Sequence, residues 1–186
     1  MTSLFVERPS SIEGAGCFAV LLIRTGRLVE RWEGERVTRA ELQRIVDDGK
    51  YYSAVAVGED EHLLFNVVDP ASVDDDLNEG SGTGGFNHSC DSNLWLQDAV
   101  TIVARRDIAA GEELTLDYTL VSSDPAWTMS PCNCGSRLCR GTVTGNDWQL
   151  PKLQRRYAGH YSPFLNHRIA KFSPSPRKER GPGGEV

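Results

Sequence analysis

The chain has 186 residues, 39% hydrophobic and 25% charged, a size that closes around one core without needing to split. Its longest apolar run, residues 17–23, is too short to cross a bilayer, and the opening MTSLFVERPSS lacks the basic-then-apolar pattern of a secretory signal. The formal charge is −6 overall and +2 over residues 171–186, leaving −8 for the rest; an acidic body with no basic stripe is unsuited to direct nucleic-acid binding.

Taken in chain order, short stretches rich in Val, Leu, Ile and aromatics and punctuated by Gly, Asp or Pro read as strands: residues 4–7, 17–23, 28–32, 52–57, 63–68, 93–97, 100–105 and 113–116. One helix is marked between the third and fourth. Thr38-Arg39-Ala40-Glu41 is a capping-box pattern, Leu42, Ile45 and Val46 follow at helical spacing, and Gly49 ends it. Residues 74–85, acidic and then glycine-rich, read as a loop. Pro151 starts a short helix with Leu153 facing inward, and Phe164, Leu165 and Ile169 mark another. The final SPSPRKERGPGGEV has almost nothing to bury and reads as disordered. The fold class is mostly β.

The chemistry concentrates in two places. GGFNHSCDSN, residues 84–93, sets Asn87, His88, Ser89 and Cys90 side by side. Cys132-Asn-Cys134-Gly-Ser-Arg-Leu-Cys139 places three thiols within eight residues, nearly enclosing a tetrahedral Zn²⁺ with one position left for a distant thiol or solvent. Five cysteines and no secretory signal argue against a disulfide framework. Cys17 sits in an apolar strand, so Cys90 is the candidate fourth ligand beside Cys132, Cys134 and Cys139.

Four segments together resemble the SET-domain family of protein lysine methyltransferases: Glu13-Gly14-Ala15-Gly16-Cys17-Phe18-Ala19, Asn87-His88-Ser89-Cys90, Gly111-Glu112-Glu113-Leu114-Thr115-Leu116-Asp117-Tyr118, and the post-SET-like C-x-C-x4-C with Arg140-Gly141. The resemblance covers residues 4–150. It implies small sheets around a knot-like core, a SET domain over 1–120, a post-SET zinc segment over 121–148, a helical extension over 149–170 and a disordered tail over 171–186. It also implies methyl transfer from S-adenosylmethionine to a lysine of a protein or peptide. The implied location is intracellular: nuclear for a eukaryotic source, cytoplasmic for a bacterial one, toward which sixteen arginines against four lysines lean.

In that resemblance Tyr118 is the catalytic residue. Gly14, Ala15, Gly16, Cys17, Tyr52, Asn87 and His88 contact the cofactor, and Trp32, Leu116 and Trp148 line the lysine channel. The chemistry is consistent with such a site. In-line transfer from a sulfonium needs alignment more than an acid, and a dry channel favours the neutral amine that must attack. Three departures from the family pattern stand out. Gly84-Gly85 replaces Arg-Phe, a weakened cofactor contact. Ser92 replaces proline, a looser turn. Leu116 replaces Phe or Tyr, leaving room for two or three methyl groups. The alternative is a catalytically silent, zinc-stapled SET fold that binds peptides or proteins.

Overall fold

The computed structural model describes residues 3–71 and 85–172. Most of the loop expected over 74–85, including Gly84, and the tail over 173–186 lie outside the described residues.

β1 (Phe5–Pro9) and β2 (Ala15–Ala19) form an antiparallel hairpin running from Phe5 opposite Ala19 to Pro9 opposite Ala15. The strand expected over 17–23 is shorter: its ladder with β1 closes at Ala19 opposite Phe5, with one further bond from the Val20 N–H to the Leu4 carbonyl at 3.0 Å. Val20, Leu21 and Leu22 are exposed, and Ile23 rejoins the core through a bridge to Ile108. β3 (Leu28–Arg31) follows. β4 (Glu35–Thr38) was not legible, since its ERVT buries only Val37 and so carries no apolar signal.

Thr38 caps α1 (Arg39–Asp47) as expected. Its hydroxyl accepts the Glu41 N–H at 3.3 Å, and the Glu41 carboxylate accepts the Thr38 N–H at 2.7 Å. α1 buries Leu42 against Val37 and Leu64, a small cluster beside the main core. β5 (Tyr51–Ala56) and β6 (Glu61–Val68) complete a three-stranded sheet in the order β4-β6-β5.

β7 (Asn87–His88), β8 (Leu94–Leu96), β9 (Thr101–Ala104) and β10 (Thr115–Leu116) hold the centre. β9 lies between β3 and β8, and β10 runs parallel to β7 with Thr115 opposite Asn87 and Leu116 opposite His88. The strand expected over 113–116 shrinks to its last two residues; Glu113 keeps one bridge to Phe18. A two-residue parallel pair cannot be read from periodicity, because it is shorter than one alternation. A 3-10 turn, Tyr118–Leu120, leads away from it.

The rest of the chain folds back on this centre. β11 (Thr128–Met129) pairs with β12 (Val143–Thr144), and a 3-10 turn, Asp147–Gln149, leads into α2 (Pro151–Arg156) and α3 (Pro163–Phe172). α3 takes in Lys171 and Phe172, which the sequence placed in the tail. Leu153, Tyr157, Tyr161 and Leu165 join the same cluster as Leu94, Leu96, Ile102, Ile108, Leu114 and Leu120, so the extension is part of the one core. His160 fixes it further: its ring stacks on Trp95 at 3.4 Å and 5°, and its Nδ1 lies 2.8 Å from the Leu96 carbonyl. Among the described residues no helix is long and apolar enough to cross a membrane.

Candidate active site and thiol cluster

The parallel β7–β10 pair puts Asn87, His88 and Tyr118 together. The Asn87 amide donates to the Glu13 and Ala15 carbonyls at 3.0 Å and to Glu113 Oε1 at 2.9 Å. Glu113 also accepts the Ser10 hydroxyl at 2.8 Å, so Asn87 and Glu113 together clamp the β1–β2 turn. A Cβ at Gly16 would lie 2.2 Å from Glu113 Oε1, so any larger residue there would displace that carboxylate from the clamp. Gly14 holds the turn with φ +46°, and nothing lies within 4 Å of where its Cβ would be. The amide nitrogen of Asn87, expected at a cofactor, is thus spent within the protein.

His88 is buried and its ring is also committed. Nδ1 accepts the Tyr118 N–H at 3.2 Å, which leaves the proton of the neutral ring on Nε2, 3.2 Å from Cys90 Sγ. Burial favours that neutral ring first, outweighing the nearby Asp117 charge, and lowers His88 to about 4. Its main chain is different. In a parallel pair successive residues face opposite edges, and the Ser89 N–H bonds the Leu116 carbonyl. The His88 N–H and C=O therefore face the edge away from β10, where β7 has no partner strand among the described residues.

Tyr118 stands beside that edge. Its hydroxyl donates to the Phe86 carbonyl at 3.2 Å, and its ring meets His88 edge-on at 5.2 Å and Trp127 at 6.2 Å. Burial, with the Glu13 charge behind it, pushes the phenol up to about 12. Trp127 carried no signal in the sequence because it belongs to none of the four motifs. Gly85 is in the left-handed region at φ +72°, and a Cβ there would lie 2.9 Å from Cys17 Sγ. Glycine at the family's Phe position is therefore what this backbone requires, with Cys17 itself buried in β2.

The channel candidates Leu116, Trp32 and Trp148 all belong to the main core cluster. Leu116 is buried on β10 beside His88. Trp32 is a core residue with its ring edge-on to Phe65 at 6.0 Å. Trp148 faces α3, its ring 6.3 Å from Phe172, and lines a cavity there with Arg168 and Lys171. Tyr52 belongs to the β4-β6-β5 sheet and is 39% exposed. Ser92 corrects the expectation of a looser turn: fully buried, it donates to the Leu94 carbonyl at 3.0 Å, so a hydrogen bond tightens what a proline ring would have fixed.

The thiols do converge. One donor atom from each of His88, Cys90, Cys132 and Cys134 lies within 4.8 Å of the others, a grouping that can hold a metal ion. Cys90 Sγ is 3.9 Å from Cys132 Sγ; thiolates about 2.3 Å from one tetrahedral ion sit about 3.8 Å apart. Burial opposes ionisation of Cys134, but N–H groups of Cys90 and Ser136 point at its sulfur and bring it down to about 6. Burial pushes Cys90 and Cys132 the other way. Cys139 stands just outside the group, its thiol donating to the Cys132 carbonyl at 3.5 Å.

A buried ion-pair array escaped the sequence. Arg140 places Nη1 and Nη2 2.7 and 2.8 Å from the two Asp117 oxygens, and Nε 2.7 Å from Asp147. Tyr157 adds its hydroxyl to Asp117 at 3.2 Å. The adjacency of Arg140 to Cys139 and of Asp117 to Tyr118 was the available signal, visible only once the motifs are seen to meet.

The model of the SET domain matches residues 14–119. Over 141 residues the chain is 36% identical to the histone-lysine N-methyltransferase TRX1 of Oryza sativa, covering 72% of this chain and 13% of the relative. It is 34% identical to ATX2 of Arabidopsis thaliana (78% and 13% covered) and 31% identical to the human histone-lysine N-methyltransferase 2B (70% and 5%). The chain thus spans a small fraction of these relatives' length. The methyltransferase domain of human SETMAR superposes with a TM-score of 0.50 at 25% identity, over 74% of this chain and 56% of that one. With its small sheets, short helices and paired NHSC and GEEL segments, the chain belongs to the SET-domain family.

Proposed function

We propose that the protein is an S-adenosylmethionine-dependent protein-lysine N-methyltransferase. The observation that carries the reading is Tyr118: a part-buried phenol, its protonated form favoured, beside a strand edge that has no partner among the described residues and presents the His88 main-chain N–H and C=O. S-adenosylmethionine, when bound, supplies a methyl group on a sulfonium. A main-chain donor and acceptor on that edge suit such a polar cofactor, with Gly14, Ala15 and Gly16 close by. The side chains of Asn87 and His88 act by holding that edge in place. Cys17 would form the floor under Gly85, and Tyr52 would reach the cofactor only from a neighbouring sheet.

Tyr118 would orient the incoming amine through its hydroxyl and shape the field where charge moves. Leu116 and Trp32 would bound the lysine side. Trp148 is assigned the far end of the channel on the resemblance alone. Leu116 is branched, aliphatic and free of a hydroxyl, so it holds no ordered water against added methyl groups. Dimethylated and trimethylated lysine are the expected products on a good peptide substrate, read by mass spectrometry; a product that stops at one methyl counts against this role.

The thiol cluster is assigned to one structural Zn²⁺ held by Cys90, Cys132, Cys134 and Cys139. His88 fits the role of donor to Cys90 better than that of ligand, because its Nε2 carries the proton. The substrate is a lysine-bearing protein. Histones are the first to try, since the relatives are named for them, and the −8 body suits a basic tail. That assignment places the protein in a nucleus; a bacterial source would place it in the cytoplasm with another basic target. Labelled-methyl transfer onto a peptide array, with calorimetry of S-adenosylmethionine binding, tests the reading. Binding of peptide without cofactor would favour the silent module.

A further inference from the structure

We infer that Arg140 is a positioning residue, the link by which the thiol cluster holds Tyr118 in place. The inference rests on the methyltransferase reading, but its geometry does not depend on it. Cys90 Sγ receives two hydrogen bonds, from the Arg140 N–H at 3.3 Å and from His88 Nε2 at 3.2 Å. The other end of each residue reaches the Tyr118 segment. His88 accepts the Tyr118 N–H, and the Arg140 guanidinium forks onto both oxygens of Asp117, the residue directly before Tyr118.

Asp117 has no freedom of its own. It is fully buried and caps the Tyr118–Leu120 turn by accepting the Thr119 N–H at 3.1 Å. Wherever the guanidinium goes, the start of that turn follows. The third guanidinium nitrogen, Nε, is ion-paired with Asp147 at 2.7 Å, off hydrogen-bond alignment, and only 6% of the Arg140 side chain is exposed. Asp147 is itself oriented by the Thr144 hydroxyl at 2.8 Å. One side chain therefore ties the segment after the cysteines to the 3-10 turn that begins with the phenol. A lysine cannot replace it, because a single ammonium cannot fork onto Asp117 and reach Asp147 together.

The test uses the whole chain with Arg140→Lys, and Asp147→Asn as a milder variant that leaves the Asp117 fork intact. Hydrogen exchange of a peptide spanning residues 114–123 is compared with that of residues 94–104 as an internal reference. The expected result is exchange about tenfold faster in the first and unchanged in the second. Bound zinc should be unchanged, because the arginine side chain supplies no ligand. The turnover number should fall about 10- to 100-fold, as for misplacement of a reacting group by about an ångström, with KM for peptide within about threefold.

Unchanged exchange at 114–123 with turnover within twofold overturns the inference. If Arg140→Lys does not fold, the exchange of Asp147→Asn decides in the same way. If the wild type transfers no methyl group, the methyltransferase reading fails, while the exchange comparison still decides whether Arg140 positions Tyr118.

Discussion

Replacing Tyr118 with phenylalanine is expected to lower the methyl-transfer turnover number by a factor of about 10²–10³, the usual cost of deleting one preorganised polar group at a reacting centre. The change removes one hydroxyl and leaves the ring between His88 and Trp127. The lost bond to the Phe86 carbonyl costs about 1 kcal/mol of stability, so the variant should fold and bind cofactor within a few-fold of wild type. A variant that keeps more than a tenth of the wild-type turnover would remove Tyr118 from the mechanism. The pH dependence follows from the same environment. Burial raises the phenol to about 12 and so favours its neutral form. The substrate lysine, with a reference value of about 10.4, titrates first. The wild-type rate should therefore climb through pH 8–10 as the amine deprotonates, and any falling limb should begin only as pH approaches about 12. A falling limb near neutrality would mean a different group is essential.

Removing the metal is expected to have the largest effect on stability. Structural zinc contributes about 10–16 kcal/mol of apparent binding energy in small sites, comparable with the whole stability of a domain. Cys90→Ser should therefore drop zinc from about one per chain to a small fraction and unfold the segment that carries Cys132 to Arg140. His88→Gln should retain zinc, because the proton on Nε2 makes His88 a donor to Cys90. Cys139→Ser should lose it. Metal analysis of the three variants at equal free zinc separates the ligand sets. Retention by Cys139→Ser with loss by His88→Gln would make the histidine the fourth ligand.

The amphipathic and motif-bearing parts of this fold were legible, and the reasons are local. The α1 cap is a four-residue pattern, and Thr38 and Glu41 bond as that pattern dictates. β6, β8 and β9 announce themselves by apolar runs. Convergence of Asn87, His88 and Cys90 with Tyr118 followed from resemblance, since no residue-level rule joins positions 28 to 31 residues apart. What stayed hidden was fixed by distant partners. β4 forms because β6 offers it an edge, although ERVT has no strand periodicity of its own. Asn87 looked like a ligand-binding amide; only the approach of the β1–β2 turn shows where its protons go. Arg140 looked like punctuation after Cys139 and turned out to be ion-paired with two buried carboxylates.

The stack of His160 on Trp95, with Tyr157, Tyr161 and Leu165 in the common core, bears on how the molecule can be cut. The SET match ends at residue 119, a tempting place to stop a clone. A fragment ending there would strip His160 from Trp95 and remove Tyr157, Tyr161 and Leu165 from the core they share with Leu94 and Leu96, baring an oily face prone to clumping. A shortened version keeps this cover only if it retains α2 and the α3 residues that enter the core, Phe164 and Leu165.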